Sequence, residues 1–397
     1  MLKLMQLFWI SFKLGCTSFG GPTAHLGYFY NEYVNRRKWL TEQQYAELVA
    51  LGQFLPGPAS SQVGMGIGLL RGGMLGSVAS FIGFTLPSVL LLVCFAIFYL
   101  SSDAEFGWLH GLKLVAVAIV LQAIIDMSRK LLSSWMHIAI AAVSLAAILL
   151  WPNPFVQIIV ITAAAIIGRV LLSKPGIAAG AVKSEADLLQ NTAVRSVQLS
   201  KKTGAALLTF FLTLLILLPI LARGLPYEWI GMFEKFYRAG ALVFGGGHVV
   251  LPLLESEFVQ SGFINAEDFI AGYGMTQAMP GPLFTFASYI GYLTDGWFGA
   301  VLATIAIFLP AFLLMIGAMP FWMELSRNRH ARSAIQGINA AVIGILAAAF
   351  VKPIAMESIR SWFDAIAAIL LFLLLIRWKI KPYWLVIIGL LIGLAKP

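Results

Sequence analysis

Two tripeptides stand out for the chemistry their backbones could do: Pro56-Gly57-Pro58 and Pro280-Gly281-Pro282, each inside an otherwise apolar stretch. Two glycine runs stand out in the same way, Gly20-Gly21 followed by Pro22, and Gly245-Gly246-Gly247. Gly and Pro in such clusters cannot sustain a regular helix. Each break frees backbone N–H groups and exposes the positive end of a half-helix, a ready site for an anion. Glycine lets backbone approach a ligand closely, and Pro22 suits the first position of a new half-helix. Polar side chains that could complete such a site stand around the breaks. They are Ser18 and His25 at the first, Gln53, Ser60, Ser61 and Gln62 at the second, His248 at the third, and Gln277 and Thr285 at the fourth. Lys13 and Arg238 lie one to two turns before the first and third breaks, where a cation would serve as counter-ion to an anionic substrate.

Each feature also has a plainer reading. Isolated glycines such as Gly168 and Gly344 are read as helix packing, since small residues let membrane helices approach. Lys13 and Arg238 equally fit side chains that snorkel to an interface. His25 and His248 would suit proton work, with an unperturbed pKa of about 6.5, or be satisfied structural residues. Glu32 and Glu257 could carry a coupling proton, or cap a helix or pair with Arg36 or Arg37. No H-x-x-H, D-x-D or Cys-x-x-Cys spacing occurs, so neither a metal nor another cofactor is expected, and a membrane-embedded enzyme is a distant reading.

The elements that must position these residues follow from composition. The chain has 397 residues, 60% of them hydrophobic and only 11% charged, against about 25% charge in a typical soluble domain. A soluble monomer with that balance could not cover itself with polar surface. That excludes a soluble enzyme, a disordered chain and a nucleic-acid binder, despite a net charge of +9. The partner implied is the lipid bilayer. Cys16 and Cys94 lie in apolar segments and offer no disulfide framework. The apolar start of the chain has no small-residue cleavage site and reads as a retained membrane segment. The expected fold is an all-α polytopic membrane protein. A crossing needs roughly 20 apolar residues, and nine stretches are read as crossings: 74–100, 107–127, 133–151, 155–172, 204–222, 297–323, 334–351, 362–376 and 383–394. Four more, 8–28, 45–70, 233–254 and 269–293, carry the breaks. Irregular backbone at membrane depth is tolerated only where it is buried in protein or lines a wet cavity.

The breaks form two pairs because the sequence repeats itself. Phe12 to Gly21 aligns with Tyr237 to Gly246, Glu32 with Glu257, Gln53 to Pro58 with Gln277 to Pro282, and Leu86-Pro87 with Leu309-Pro310, all at an offset of about 224 residues. The domains expected are a first repeat at 1–173, a linker plus one extra helix at 174–226, and a second repeat at 227–397. Lys and Arg alternate oppositely through the two copies. Arg36-Arg37-Lys38 of the first is matched by Glu255, Glu257, Glu267 and Asp268, and the acidic loop at 101–105 by Arg327, Arg329 and Arg332. Only Lys and Arg set orientation, so the halves should lie upside down relative to each other, the extra helix at 204–222 allowing the inversion. The polar stretch at 173–203 is then a cytoplasmic linker. Arg129-Lys130, Lys352 and Arg360 fit this scheme less cleanly, and Arg223 falls on the expected outside.

Inverted repeats with broken helices in matching places point to a secondary transporter that holds its substrate near the bilayer midplane. The run from Gly15 to Gly27, then Arg37-Lys38-Trp39-Leu40, then Gln53 to Gln62 resembles the chromate ion transporter family. Phe244 to Pro252 and Gln277 to Pro282 are similar to the carboxy-terminal domain of its long, two-domain form. That resemblance implies export of chromate, a tetrahedral dianion shaped like sulfate, across the inner (plasma) membrane by the proton-motive force, giving chromate resistance. It leaves open another oxyanion such as sulfate, a passive pore built from the same dipole ends, and a homodimer. The second half lacks the Ser60-Ser61-Gln62 triplet, so the site should be asymmetric.

Overall fold

A computed structural model describes residues 2–101, 107–151, 153–172 and 199–394. The acidic loop at 103–105 and the linker from 173 to 198 lie outside the described residues. Among the described residues the protein is helical and contains no strand. The first repeat holds α1 (Leu2–Thr17), α2 (Gly21–Phe29), α3 (Glu42–Phe54), α4 (Ala59–Ser101), α5 (Gly107–Leu131), α6 (Trp135–Leu150) and α7 (Pro154–Ile167). After it comes α8 (Lys201–Gly224). The second repeat holds α9 (Glu228–Leu242), α10 (Val250–Leu254), α11 (Ala266–Thr276), α12 (Phe286–Ala318), α13 (Trp322–Arg327), α14 (Arg329–Ala349), α15 (Trp362–Arg377) and α16 (Pro382–Leu394).

Both broken segments of the first repeat turn back on themselves. Ser11 of α1 and Tyr33, in the π-helical extension of α2, lie side by side with their oxygens 3.2 Å apart. A helix continuing past the break would separate those residues by roughly 30 Å. In the second hairpin, Gly52 of α3 faces Ala59 and Val63, while Leu48 faces Gly66. A capping box at Thr41 and Gln44 starts α3, and Asn265 caps α11 at the equivalent place. The 43-residue α4 is two arms. Gly72 and Gly73 leave helical geometry, Gly73 at φ 65°, and the Gly68 and Gly76 backbones then touch. Residues eight apart in one helix would be about 12 Å apart. The second arm (74–101) runs alongside α1, with Leu4 against Gly72 and Leu7 against Gly76.

The second repeat reproduces each device. Asp295 and Gly296 break α12 where Gly72 and Gly73 break α4, and Gly291 touches Gly299 as Gly68 touches Gly76. The open ends of the two halves lie at opposite ends of the molecule. The second arm of α4 starts beside Leu4 and ends about 40 Å away, where Tyr99 hydrogen-bonds Asp268 in the first turn of α11.

Among the described residues, six helices are long and apolar enough to cross a membrane, against the nine stretches read as crossings. The other three are α6 and α15, of 16 residues each, and α16, of 13. The run read at 133–151 extends past α6, whereas α15 and α16 match the short runs read at 362–376 and 383–394. The repeats also exchange partners. Gly107 and Gly111 of α5 pack on Gly393 and Gly389 of α16, and Gly337 of α14 packs on Ala164 and Gly168. Each half therefore closes on helices of the other.

Candidate functional site

The four hairpin tips meet at the middle of the molecule and are stitched across the repeats. The Gly57 N–H donates to the Val243 carbonyl at 2.7 Å, and the Gly281 N–H donates to the Ser18 carbonyl at 2.9 Å. Gly57 is the repeat equivalent of Gly281, and Val243 of Ser18, so these are one bond made twice. Gly57 (φ 118°) and Gly281 (φ 93°) adopt a conformation that favours glycine. Each sits against the second arm of the opposite half, Gly57 on Ala311 and Gly281 on Ser88. Pro22 and Gly247, also equivalent, touch each other between the two pairs.

Around this knot lies unfilled space. A side chain at Gly21 or Gly246 would meet nothing within 4 Å, and both have positive φ. Gly20 and Gly245 are exposed. Close to the tips in sequence are buried polar atoms without a hydrogen-bond partner, Ser18 Oγ, Ser61 Oγ and Gln62 Oε1, and Gln277, whose side chain reaches the Tyr273 hydroxyl. Asn339 Oδ1 is also unpartnered and lies 3.5 Å from where a Cβ of Gly245 would be. Buried polar groups of this kind normally find a partner.

The electrostatics follow from which helix ends arrive. The C-terminal carbonyls of Ser18 and Val243 are engaged by the cross-repeat bonds. The N-termini of α2 and of the first arm of α4 point into the same region, and their first N–H groups lack intrahelical acceptors. The second repeat starts its two inner segments with 3₁₀ turns, Gly247–Val249 and Leu283–Thr285. Positive dipole ends are thus gathered at the tips, an environment that favours an anion, and the carboxylate of Asp126 lies near His248 behind the third tip.

Of the residues singled out in the sequence, the structure brings together Ser18, Gly20, Gly21, Gly57, Ser61, Gln62, Gly245, Gly246, Gly247, Gln277 and Gly281. The Gln62 amide also donates to the Pro56 carbonyl at 2.8 Å. Thr285 donates to Pro282, which ties it to its own turn. Gln53 is exposed, unlike its buried equivalent Gln277. His25 stands behind its tip, with Nδ1 3.3 Å from Ser60 Oγ, and His248 Nδ1 is 2.8 Å from the Tyr273 hydroxyl.

The charged candidates lie elsewhere. Lys13 is exposed on the outward side of α1. Arg238 has internal counter-ions, Glu257 at 2.6 Å and Glu234 at 3.2 Å, and Lys235 joins the same cluster. Glu32 pairs with Arg37 at 2.6 Å and Arg36 at 3.1 Å at the open end of its hairpin. Sequence reading passed over Ser88, whose hydroxyl donates to the Pro280 carbonyl at 2.6 Å, and Asn339. Ser88 follows the Leu86-Pro87 pair, which served only to set the repeat register, and Asn339 stands in an apolar run with no motif around it.

Hairpin tips meeting inside a bundle of apolar helices define a multi-pass helical membrane protein. The particular family follows from comparison. The chromate transporter family's sequence profile matches residues 5–169 and 230–394, and the chain belongs to that family. It is 27% identical over 356 residues to a probable chromate transport protein of Synechococcus elongatus, covering 88% of this chain and 84% of the relative. It is 27% identical over 351 residues to a chromate transport protein of Pseudomonas aeruginosa, covering 86% and 79%. An uncharacterized transporter of Bacillus subtilis is 33% identical over 172 residues, which is 41% of this chain but 94% of that protein. That relative is about one repeat long. No solved structure matches the chain.

Proposed function

We propose that the protein exports chromate, or a tetrahedral oxyanion of the same shape, across the inner membrane, driven by the proton-motive force. The observation that carries this reading is the central knot: four tips, two reciprocal backbone bonds, and the unpartnered Ser18 and Ser61 hydroxyls beside open glycine backbone. A dianion there would take hydrogen bonds from the free N–H groups, from those hydroxyls and from the Gln277 amide nitrogen, without a fixed cation. Weak multidentate binding of this kind suits a carrier that must release its load. Arg238 then acts within its own hairpin, as partner to Glu257 and Glu234, and Lys13 as an interfacial anchor.

The Lys and Arg at the first repeat's open end, together with the basic composition of the linker sequence, support a cytoplasmic location for that end. The acidic open end of the second repeat then faces outward, and the halves are inverted in the membrane sense. Alternating access follows if the tips part from one side and then from the other, since each hairpin belongs to one end only.

The test is flux in inverted vesicles carrying the full chain. Chromate should accumulate when a proton gradient is imposed and stop when it is collapsed. Accumulation indifferent to the gradient would remove the coupled-exporter reading. Competition by sulfate against chromate reads the substrate preference in the same assay.

A further inference from the structure

The first repeat holds a buried polar thread that the second repeat lacks. Starting from the open end, the Tyr33 hydroxyl lies 3.2 Å from Ser11 Oγ, and Ser11 Oγ lies 3.1 Å from Ser80 Oγ. Toward the tip, Ser60 Oγ lies 3.3 Å from His25 Nδ1. All five side chains are buried, at 0–1% exposure. His25 Nε2 meets no other side chain, and the ring faces the Ser18 backbone. Between the two groups stands the ring of Phe29, 4.9 Å from Phe84 and 5.8 Å from Tyr33.

The repeat supplies a control. On the same scaffold in the second half, Phe236 stands at the place of Ser11, Phe258 at that of Tyr33, Ala303 at that of Ser80 and Val250 at that of His25. Phe236 and Phe258 pack ring on ring at 4.3 Å where Ser11 and Tyr33 hydrogen-bond. The hairpin therefore closes without any of these polar groups. Polar groups inside a membrane protein are costly and mark ion or proton routes, so packing does not account for the thread.

We propose that this thread is the path of the coupling proton, from the hairpin tips to the open end of the first repeat, with His25 as the group that holds it. The proposal rests on the transport reading above. A proton arriving from the tips binds Nε2 and makes the imidazolium, which releases its Nδ1 proton to Ser60. Each hydroxyl accepts one proton and passes on another, so no further reactant is needed. Phe29 blocks the step from the Ser60 pair to Ser80, and its ring must swing aside for the proton to pass. The groups facing His25 are the Ser18 backbone, Ser60 from the first arm of α4, Phe84 from the second arm, and Tyr45 of α3, whose hydroxyl donates to the Leu26 carbonyl. The nearest charges on this hairpin, Glu32 with Arg36 and Arg37, sit at the open end beside Tyr33.

The experiment uses the full chain in proteoliposomes with chromate as the probe. Two rates are read: chromate–chromate exchange, which moves no net proton, and chromate accumulation driven by an imposed pH gradient. Ser11→Ala and Tyr33→Phe should leave exchange within about twofold of wild type and reduce driven accumulation severalfold. In His25→Gln the ratio of driven accumulation to exchange should fall at least tenfold. If His25→Gln does not fold, the two hydroxyl variants carry the test. Driven accumulation at the wild-type ratio in all folded variants overturns the proposal. So does a parallel fall of both rates, which marks a structural role. Absence of exchange in the wild type would instead overturn the transport reading itself.

Discussion

Gly57 and Gly281 show how much a single missing side chain can decide. Both have positive φ, and both donate the N–H that ties one repeat to the other. A Cβ at Gly281 would overlap Ser88 Oγ, whereas one at Gly57 would meet the Ala311 methyl at 3.0 Å. Gly281→Ala should therefore abolish chromate flux and lower stability by about 2–3 kcal/mol, from the strained φ and the clash together. Gly57→Ala should cost less, and thermal unfolding in detergent checks the order. At Glu32, outside the spanning segments, burial pushes the carboxyl up, but hydrogen bonds from Arg37 and Arg36 outweigh it and hold the group below its ordinary value. A depressed carboxylate stabilises the fold above its unfolded pKa, about 4.3, and that contribution is lost as pH falls through the folded value. Glu32→Gln should lower the unfolding midpoint at pH 7 by the equivalent of about 1 kcal/mol, and the difference from wild type should vanish at acid pH. The pairing of Glu32 with Arg36 and Arg37 was legible from spacing. The pairing of Arg238 with Glu257 was not, because 19 residues and a chain reversal separate them.

At the scale of elements, the hairpins depend on glycine at their turns and at their closest approaches. Gly68 with Gly76, and Gly291 with Gly299, bring backbones into contact just before and after each kink. Gly68→Val forces those arms apart and should cost about 2–3 kcal/mol, with driven chromate accumulation lost alongside the fall in unfolding midpoint. A wild-type midpoint in Gly68→Val would mean that the arms do not pack this tightly. Both breaks of each repeat, and the separation of residues 45–70 from 74–100, could be read from Gly and Pro placement alone. Whether a broken segment turns back or runs on could not. That depends on which face of α1 meets α4, and only Ser11 beside Tyr33 settles it. The shortness of α15 and α16 was legible in their short apolar runs, 362–376 and 383–394, whereas that of α6 was not, since the run 133–151 extends past the helix inside it.

For the whole molecule, the two repeats are interlocked. The α5 helix packs on α16 and α14 on α7, and two side chains of α5 reach the second repeat: Lys113 pairs with Glu267 at 3.3 Å, and His110 lies 2.7 Å from Asp364. Arg360 pairs with the same Glu267 carboxylate from within the second repeat. Single-cysteine labelling tests the orientation, in a chain with Cys16 and Cys94, both exposed, changed to Ser. Asn35→Cys, at the first open end, should react only with reagent applied from the cytoplasm. Phe263→Cys, at the second, should react only from outside. Labelling of both from one side would refute the inverted arrangement.

The sequence by itself determined that this is a two-repeat helical membrane protein broken at four matched places. Composition, glycine–proline spacing and the register of a repeat are local properties, carried by the residues that show them. Tertiary structure decided how the tips meet and which polar residues gather at the centre. It also decided that Tyr33, Ser11 and Ser80, and apart from them Ser60 and His25, come together in the first half, where the second has Phe258, Phe236 and Ala303, and Val250 in place of His25. Those are contacts between residues far apart in the chain, and no local pattern records which of two equivalent faces a hairpin will bury.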